Sequence, residues 1–149
     1  MPPKPDGHAL GDTVRHVHPP GFARIPHLTQ VVTAGRLVAC SGQVALDVNG
    51  AVVGGDDLGA QAERTFENLG RALGAVGGSL DSVIKLTLYV VDFQAQDLTT
   101  IARALQSTFS ADRMPANTLV GVQALARPNL RVEVDAWAVV PDLEGEVAE

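Results

Sequence analysis

The sequence predicts an α+β domain in which about six strands form a mixed sheet and two helices cover one of its faces. Three observations carry this expectation. Two stretches, 58–76 and 94–109, repeat apolar residues at spacings of three and four, the period of a helix with one buried stripe. Several short runs, the clearest being Val83–Val91 and Arg131–Val139, alternate their side chains or concentrate β-branched residues, as strands do. The chain has 149 residues, the size of one domain able to bury a core without staples.

Composition narrows the function classes. The formal net charge of −6 opposes binding to a nucleic acid or an anionic membrane, and no local basic patch offsets it. The single cysteine, Cys40, lies in the apolar run Leu37–Ser41. It reads as a small buried hydrophobe and allows no intrachain disulfide. The first 26 residues hold six of the nine prolines and no continuous apolar run, so they do not resemble a signal peptide. No run approaches the roughly 20 apolar residues of a membrane span. A soluble, cytoplasmic protein without a cofactor is expected.

Residues 1–26 read as an extended Pro-rich N-terminal arm, since proline and glycine interrupt both helix and ladder. His16 and His18, flanked by His8 and His27, are not read as a metal site, because no cysteine or fixed element holds their geometry. Residues 27–140 form the domain. Within it, Thr29–Ala34 and Leu37–Ser41, separated by Gly35-Arg36, make a hairpin. At Ser41-Gly42 the glycine marks a place where backbone comes close to another group, and Asn49-Gly50 is a tight-turn signal.

Asp56-Asp57 then supplies cap and first-turn carboxylates to a helix. Its stripe is Leu58, Ala62, Phe66, Leu69, Leu73 and Val76, and Gly77-Gly78 ends it in the left-handed manner. Glu63, Arg64, Glu67 and Arg71 read as its solvated face. In the strand Val83–Val91, Ile84, Leu86, Leu88 and Val90 are expected to face one way, with Lys85, Thr87, Tyr89 and Val91 opposite. A second helix over 94–109 should turn Leu98, Ile101, Leu105 and Phe109 inward.

Pro115–Val122 reads as a shorter strand opened by proline. Arg131–Val139 places Val132, Val134, Ala136 and Ala138 on a buried side and Glu133, Asp135 and Trp137 on the other. If these two strands are neighbours, Asn117 or Thr118 and Glu133 share one pocket. Residues 141–149 are an acidic tail that frays. Two helices cover one sheet face only, and the face with Thr87, Tyr89, Glu133, Asp135 and Trp137 is best explained as a subunit interface.

Several of these segments occur together in the order of one family. They are Gly35-x-Leu-Val-x-x-Ser-Gly-Gln43, the acidic pair opening a helix with Glu67-Asn68-Leu69, Gly77–Lys85, Pro115-Ala116 and Val132–Ala136. From about Thr29 to Val140 the chain resembles the Rid (YjgF) family of reactive-intermediate deaminases. The resemblance implies a chorismate-mutase-like subunit, a homotrimer and small-molecule clefts between subunits. It also implies a glutamate, here Glu133, that places water to hydrolyse an enamine or imine. In deaminating members an arginine after Pro-Ala grips the substrate carboxylate as a bidentate fork. Asn117 stands at that position here, and Leu28 replaces a family tyrosine. The chain reads as a divergent member, with Arg113, Arg127 and Arg131 as candidates to replace the missing guanidinium.

The candidate site is therefore Glu133 as the catalytic carboxylate, with Ser41, Gly42, Asn117 and Thr118 binding a small ligand. Each has a plainer reading. Glu133 would be an ordinary strand carboxylate, Ser41-Gly42 a strand-end turn and Asn117 a turn-capping amide. Asp135 reads as structural, and Tyr89 and Trp137 as interface residues. Two functions are carried forward: a Rid-like trimer that hydrolyses an enamine, imine or related C–N bond, and a non-catalytic ligand-binding or regulatory trimer. A nuclease is disfavoured by the acidic charge.

Overall fold

A computed structural model describes residues 13–141. The first twelve residues, including His8 of the expected arm, and the acidic tail from 142 onward lie outside the described residues. The elements in chain order are β1 (Val14–Val17), β2 (Val31–Ala34), β3 (Leu37–Val44), α1 (Leu58–Gly74), β4 (Val83–Val91), α2 (Asp97–Thr108), β5 (Ala116–Val122) and β6 (Val132–Val139). The six strands form one sheet in the order β1-β2-β3-β6-β4-β5. Only β4 and β5 run parallel, so the sheet is mixed and the fold is α+β, as expected.

Local chemistry explains most boundaries. Gly35, at φ 58°, turns the β2–β3 hairpin, a conformation that carries little cost without a Cβ. Asp57 caps α1 by accepting the Ala60 amide at 2.9 Å. At the other end Gly77 has φ 80°, and the Gly78 amide returns to the Leu73 carbonyl at 2.9 Å. That is the Schellman closure, which satisfies carbonyls a helix end otherwise leaves open. The whole predicted stripe of α1, Leu58 through Val76, is buried. It packs with Leu86, Leu88, Val132 and Val134 into one core on a single side of the sheet. Phe66 meets Phe109 edge-on at 5.7 Å between ring centroids.

Three expectations are corrected. Val14–Val17, read as part of an extended arm without a ladder, is an edge strand paired from Val14↔Ala34 to Val17↔Val31. Its two valines suit a strand, and Pro19 and Pro20 follow after the ladder has ended at Val17, so no ladder donor is lost to them. Ile84 does not face the core. The β4–β6 register moves from Val83↔Ala138 to Lys85↔Trp137, and Ile84, in that irregularity, is 50% exposed because a bulge re-aims the bulged side chain. Leu98 is 57% exposed. The helix begins at Asp97, whose carboxylate holds the Gln94 amide in a turn at 2.8 Å, and Leu98 sits in an uncovered first turn, while Ile101, Ala104 and Leu105 point inward.

Candidate active site

The site grows from an irregularity in β3. Its pairing with β6 passes from Cys40↔Ala136 to Gln43↔Val134, so Ser41 and Gly42 together oppose Asp135 alone. Cys40 and Gln43 are both buried, and the two residues between them are displaced toward the uncovered face. Bonds to the segment before β2 hold the bulge. The Ser41 hydroxyl donates to the Thr29 carbonyl and the Ser41 amide to Gln30 O at 2.9 Å. The Gln43 amide nitrogen donates to Gln30 Oε1 at 2.9 Å and to the Ser41 carbonyl at 3.0 Å.

Glu133 lies over this bulge. A Cβ built on Gly42 would stand 2.7 Å from Glu133 Cδ and 3.0 Å from Cγ, and closer still to Oε1. Only glycine leaves room for the carboxylate there. Glu133 pairs with Val44 on one side and Tyr89 on the other. Half-burial pushes its carboxyl above the ordinary range, and the negative Asp135 two residues on adds to the shift. Both effects disfavour the charged form. Asp135 accepts the Tyr89 hydroxyl at 3.0 Å. That bond, desolvation and the nearby Asp135 and Glu133 charges raise the phenol in turn. The expected acidic pair is thus a linked Glu133–Asp135–Tyr89 group.

A cavity of about 70 Å3 reaches Gly42 from the other side of β3 and is lined by none of those three residues. It runs along the edge of β3 past the point where β2 leaves the sheet. Phe22, Ile25 and Leu28 wall it on one side and Gly42, Val44 and Leu46 on the other. The Arg71 guanidinium lies 5.3 Å over the Phe22 ring, an attraction that steadies the loop. Sequence reasoning placed 21–26 in the arm and missed this wall; the signal available was Leu28 standing where the resembled family has tyrosine.

Asn117 and Thr118 are elsewhere in the protomer. β5 and β6 are not neighbours, because β4 lies between them. β4 is hydrogen-bonded on both sides, parallel to β5 and antiparallel to β6. Asn117 donates to the Pro115 carbonyl at 3.1 Å, two residues before it at the start of β5. Thr118 accepts from Lys85 Nζ at 2.9 Å, in register with Thr87 and, beyond it, Asp135. The structure therefore brings Ser41, Gly42 and Glu133 together and leaves Asn117 and Thr118 a strand away.

Two of the candidate arginines are engaged. Arg127 donates to the Gly50 carbonyl at 2.6 Å and Arg131 to the Asp56 carbonyl at 3.0 Å. Arg113 ends the short turn Ala111–Arg113 before Pro115. Among the described residues no group of three or more His, Cys, Asp or Glu is placed to hold a metal ion, and no helix is long and apolar enough to cross a membrane.

Comparison with known proteins agrees with this architecture. A family model described as Endoribonuclease L-PSP matches residues 21–140. Protein DfrA of Myxococcus xanthus is 35% identical over 108 residues, covering 72% of this chain and 79% of that protein. The 2-iminobutanoate/2-iminopropanoate deaminase of Mus musculus is 32% identical over 117 residues, covering 78% and 84%. The crystal structure of RidA from the Antarctic bacterium Psychrobacter sp. PAMC 21119 superposes with a TM-score of 0.74 at 26% identity, over 84% of this chain and 98% of that one. With the expected sheet, helix arrangement and ordered motifs in place, the chain belongs to the Rid (YjgF) family, the family of the Endoribonuclease L-PSP model.

Proposed function

We propose that the protein is a homotrimer that hydrolyses the C–N bond of a small enamine or imine in clefts between subunits. The observation that carries this reading is the seat of Glu133 over Gly42, where a half-buried carboxylate has its proton affinity raised. A carboxylate with its proton affinity raised in this way is a stronger general base toward water than an exposed one. Glu133 accepts a proton from water as the water oxygen attacks the imine carbon. Return of that proton to nitrogen gives a carbinolamine, and Glu133 then carries its hydroxyl proton to the amine nitrogen as the C–N bond breaks, releasing ammonia and leaving a carbonyl. Ser41 and Gly42 form one wall of the cleft. Asn117 and Thr118, which β4 separates from Glu133 within one protomer, come from the neighbouring copy, whose β5 edge amides polarise the substrate.

The uncovered sheet face supports the assembly. Trp137 is 48% exposed, with Leu37 and Val139 near it on the same side and Val120 further across that face, an apolar surface of the kind subunits bury. The name of the mouse relative, an imine deaminase, supports the chemistry. The test is hydrolysis of imines generated from amino acids by an amino-acid oxidase, comparing wild type with Glu133→Gln. Acceleration that the substitution abolishes is the expected result; unchanged acceleration would remove Glu133 from the mechanism.

A second reading, a ligand-binding or regulatory trimer without catalysis, is favoured by one observation. Asn117 is neutral and tied to Pro115, and Arg127 and Arg131 are bound to backbone carbonyls. No acceleration with any imine, together with saturable ligand binding to the trimer, would select it.

A further inference from the structure

We infer that Tyr89 is a positioning residue for the proposed hydrolysis: two carboxylates, Glu133 and Asp135, can reach the bulge at Ser41-Gly42, and Tyr89 draws Asp135 toward β4 so that the place over Gly42 is left to Glu133. The inference rests on the proposed role of Glu133 and adds the residue that decides which acid takes that place.

The register sets up the competition. Ser41 and Gly42 stand opposite Asp135, whereas Glu133 is opposite Val44, two residues beyond Gly42 on β3. Glu133 therefore reaches Gly42 on a diagonal, and its Cγ, Cδ and Oε1 crowd the position of a Gly42 Cβ. Asp135 is the nearer carboxylate by register and does not hold the place. Val132, Val134 and Ala136 are buried on the other side of β6, so both acids project from the uncovered face.

What holds Asp135 away lies on the other neighbour of β6. Across the β4–β6 pair Tyr89 faces Glu133, and Thr87 faces Asp135. The Tyr89 hydroxyl nevertheless donates to Asp135 Oδ2 at 3.0 Å, a diagonal reach within the length of an aromatic side chain. Hydrogen bonds to an ionised carboxylate are among the stronger ones, and this one fixes Asp135 on the β4 side. The same bond is the largest of the effects that raise the phenol, so Tyr89 keeps its proton. No other charge on this face competes for either acid. Lys85 Nζ donates to the Leu86 carbonyl and to Thr118, Arg131 donates to the Asp56 carbonyl, and β3 turns no ionisable side chain to this side.

Two readouts on the whole protein test this: the kinetics of imine hydrolysis, and a 13C NMR titration of the glutamate side-chain carboxyls, in which the resonance missing from Glu133→Gln is that of Glu133. Tyr89→Phe keeps the ring and loses the hydroxyl, so Asp135 swings over the bulge and Glu133 turns toward solvent. We expect kcat to fall about tenfold, part of the roughly 100-fold a general base contributes, with KM within about twofold. The Glu133 midpoint should drop toward 4.5, because burial is the larger cause of its elevation and is relieved. Asp135→Ala should lower the midpoint less, since Glu133 stays in place and loses only a neighbouring charge. Adding Asp135→Ala to Tyr89→Phe removes the competitor. It should return the midpoint to that of Asp135→Ala and kcat to within about threefold of it, the coupling expected of residues that act on one another. A tyrosine of purely structural use would change stability and leave the Glu133 titration where it is.

An unchanged rate and midpoint in Tyr89→Phe would overturn the inference and leave Glu133 as the base. Losses that add in the double variant would overturn it as well. If wild type hydrolyses no imine, the catalytic reading falls and the titration decides alone: a midpoint that drops in Tyr89→Phe and recovers with Asp135→Ala upholds the positioning, and one that stays or rises overturns it.

Discussion

Gly42 and Glu133 share one space: the position of a Gly42 methyl group is the position of the Glu133 carboxylate, 2.7 Å from its Cδ. The bulge at Ser41-Gly42 makes this possible by placing two residues of β3 opposite one of β6. The clash at Gly42 is with the end of a flexible side chain and not with backbone. Gly42→Ala should therefore fold and turn Glu133 aside. We expect imine hydrolysis to fall about 100-fold, the lower end of what a general base contributes, with a small change in melting temperature. Full activity in the alanine variant would show that the seat of the carboxylate does not matter.

Burial and Asp135 hold the Glu133 carboxyl above its usual value of 4.5. The folded state therefore prefers the protonated acid. That preference stabilises the fold fully below 4.5 and is lost as pH rises through the folded value. Ionised Glu133 is thus a cost at pH 7, and Glu133→Gln, neutral throughout, escapes it. The variant should melt about 1–3 °C higher at pH 7, a modest gain for a half-buried group in a chain this long. The gap should close on acidification toward pH 4.5. A gap that widens toward low pH would reverse the sign of the shift. The acid limb of the activity profile should lie above that same value.

Gln61 is fully buried in α1. It donates to the Gly55 carbonyl at 2.6 Å and the Asn129 carbonyl at 2.9 Å, and it accepts the Arg131 amide at 2.8 Å. One side chain thus joins the loop before α1 to the loop leading into β6. Gln61→Leu keeps the volume and orphans three backbone groups, which should cost about 3 kcal/mol or more. The melting temperature should drop by about 6–12 °C. Thr65, one turn on, gives the opposite expectation: its hydroxyl is buried without a partner among the described residues, and Thr65→Val should leave stability unchanged or raise it by about 1 kcal/mol. Thermal melts of both variants decide the pair.

Trp137 stands on the uncovered sheet face at 48% exposure. A charge placed there should break the proposed trimer while sparing the protomer core, which lies on the other side of β6. Trp137→Glu is expected to shift the sedimentation equilibrium mass from three chains to one at micromolar concentration, with far-UV circular dichroism retained. Wild type that sediments as one chain would remove the intersubunit cleft.

Much of this architecture was legible because its causes are local. The α1 stripe, its Asp57 cap and its Gly77 exit are decided by residues within a turn or two of one another. The Gly35 hairpin and the alternation along β6 are equally local. Glu133 was legible through family likeness, and Gly42 as a place of close backbone approach. The failures are those of position. Ile84 and Leu98 fit their periodicities and still face solvent, one in a register irregularity and the other in an uncovered first turn. The Val14–Val17 strand was hidden among prolines, of which the nearest, Pro19, follows only after the ladder has ended at Val17.

The sequence by itself determined the elements, their caps and turns, and which side of each main strand is apolar, since these follow from spacing and backbone preference along a few residues. Tertiary structure alone decided that β6 enters between β3 and β4. It thereby decided that Glu133 meets Gly42 and Tyr89 and not Asn117. Strand order is chosen by which apolar faces can be buried together under α1 and α2, and a bulge uses up a residue without any local signature. The cavity between the 21–28 segment and the free edge of β3 has the same origin: its two walls are neighbours only after the sheet has formed.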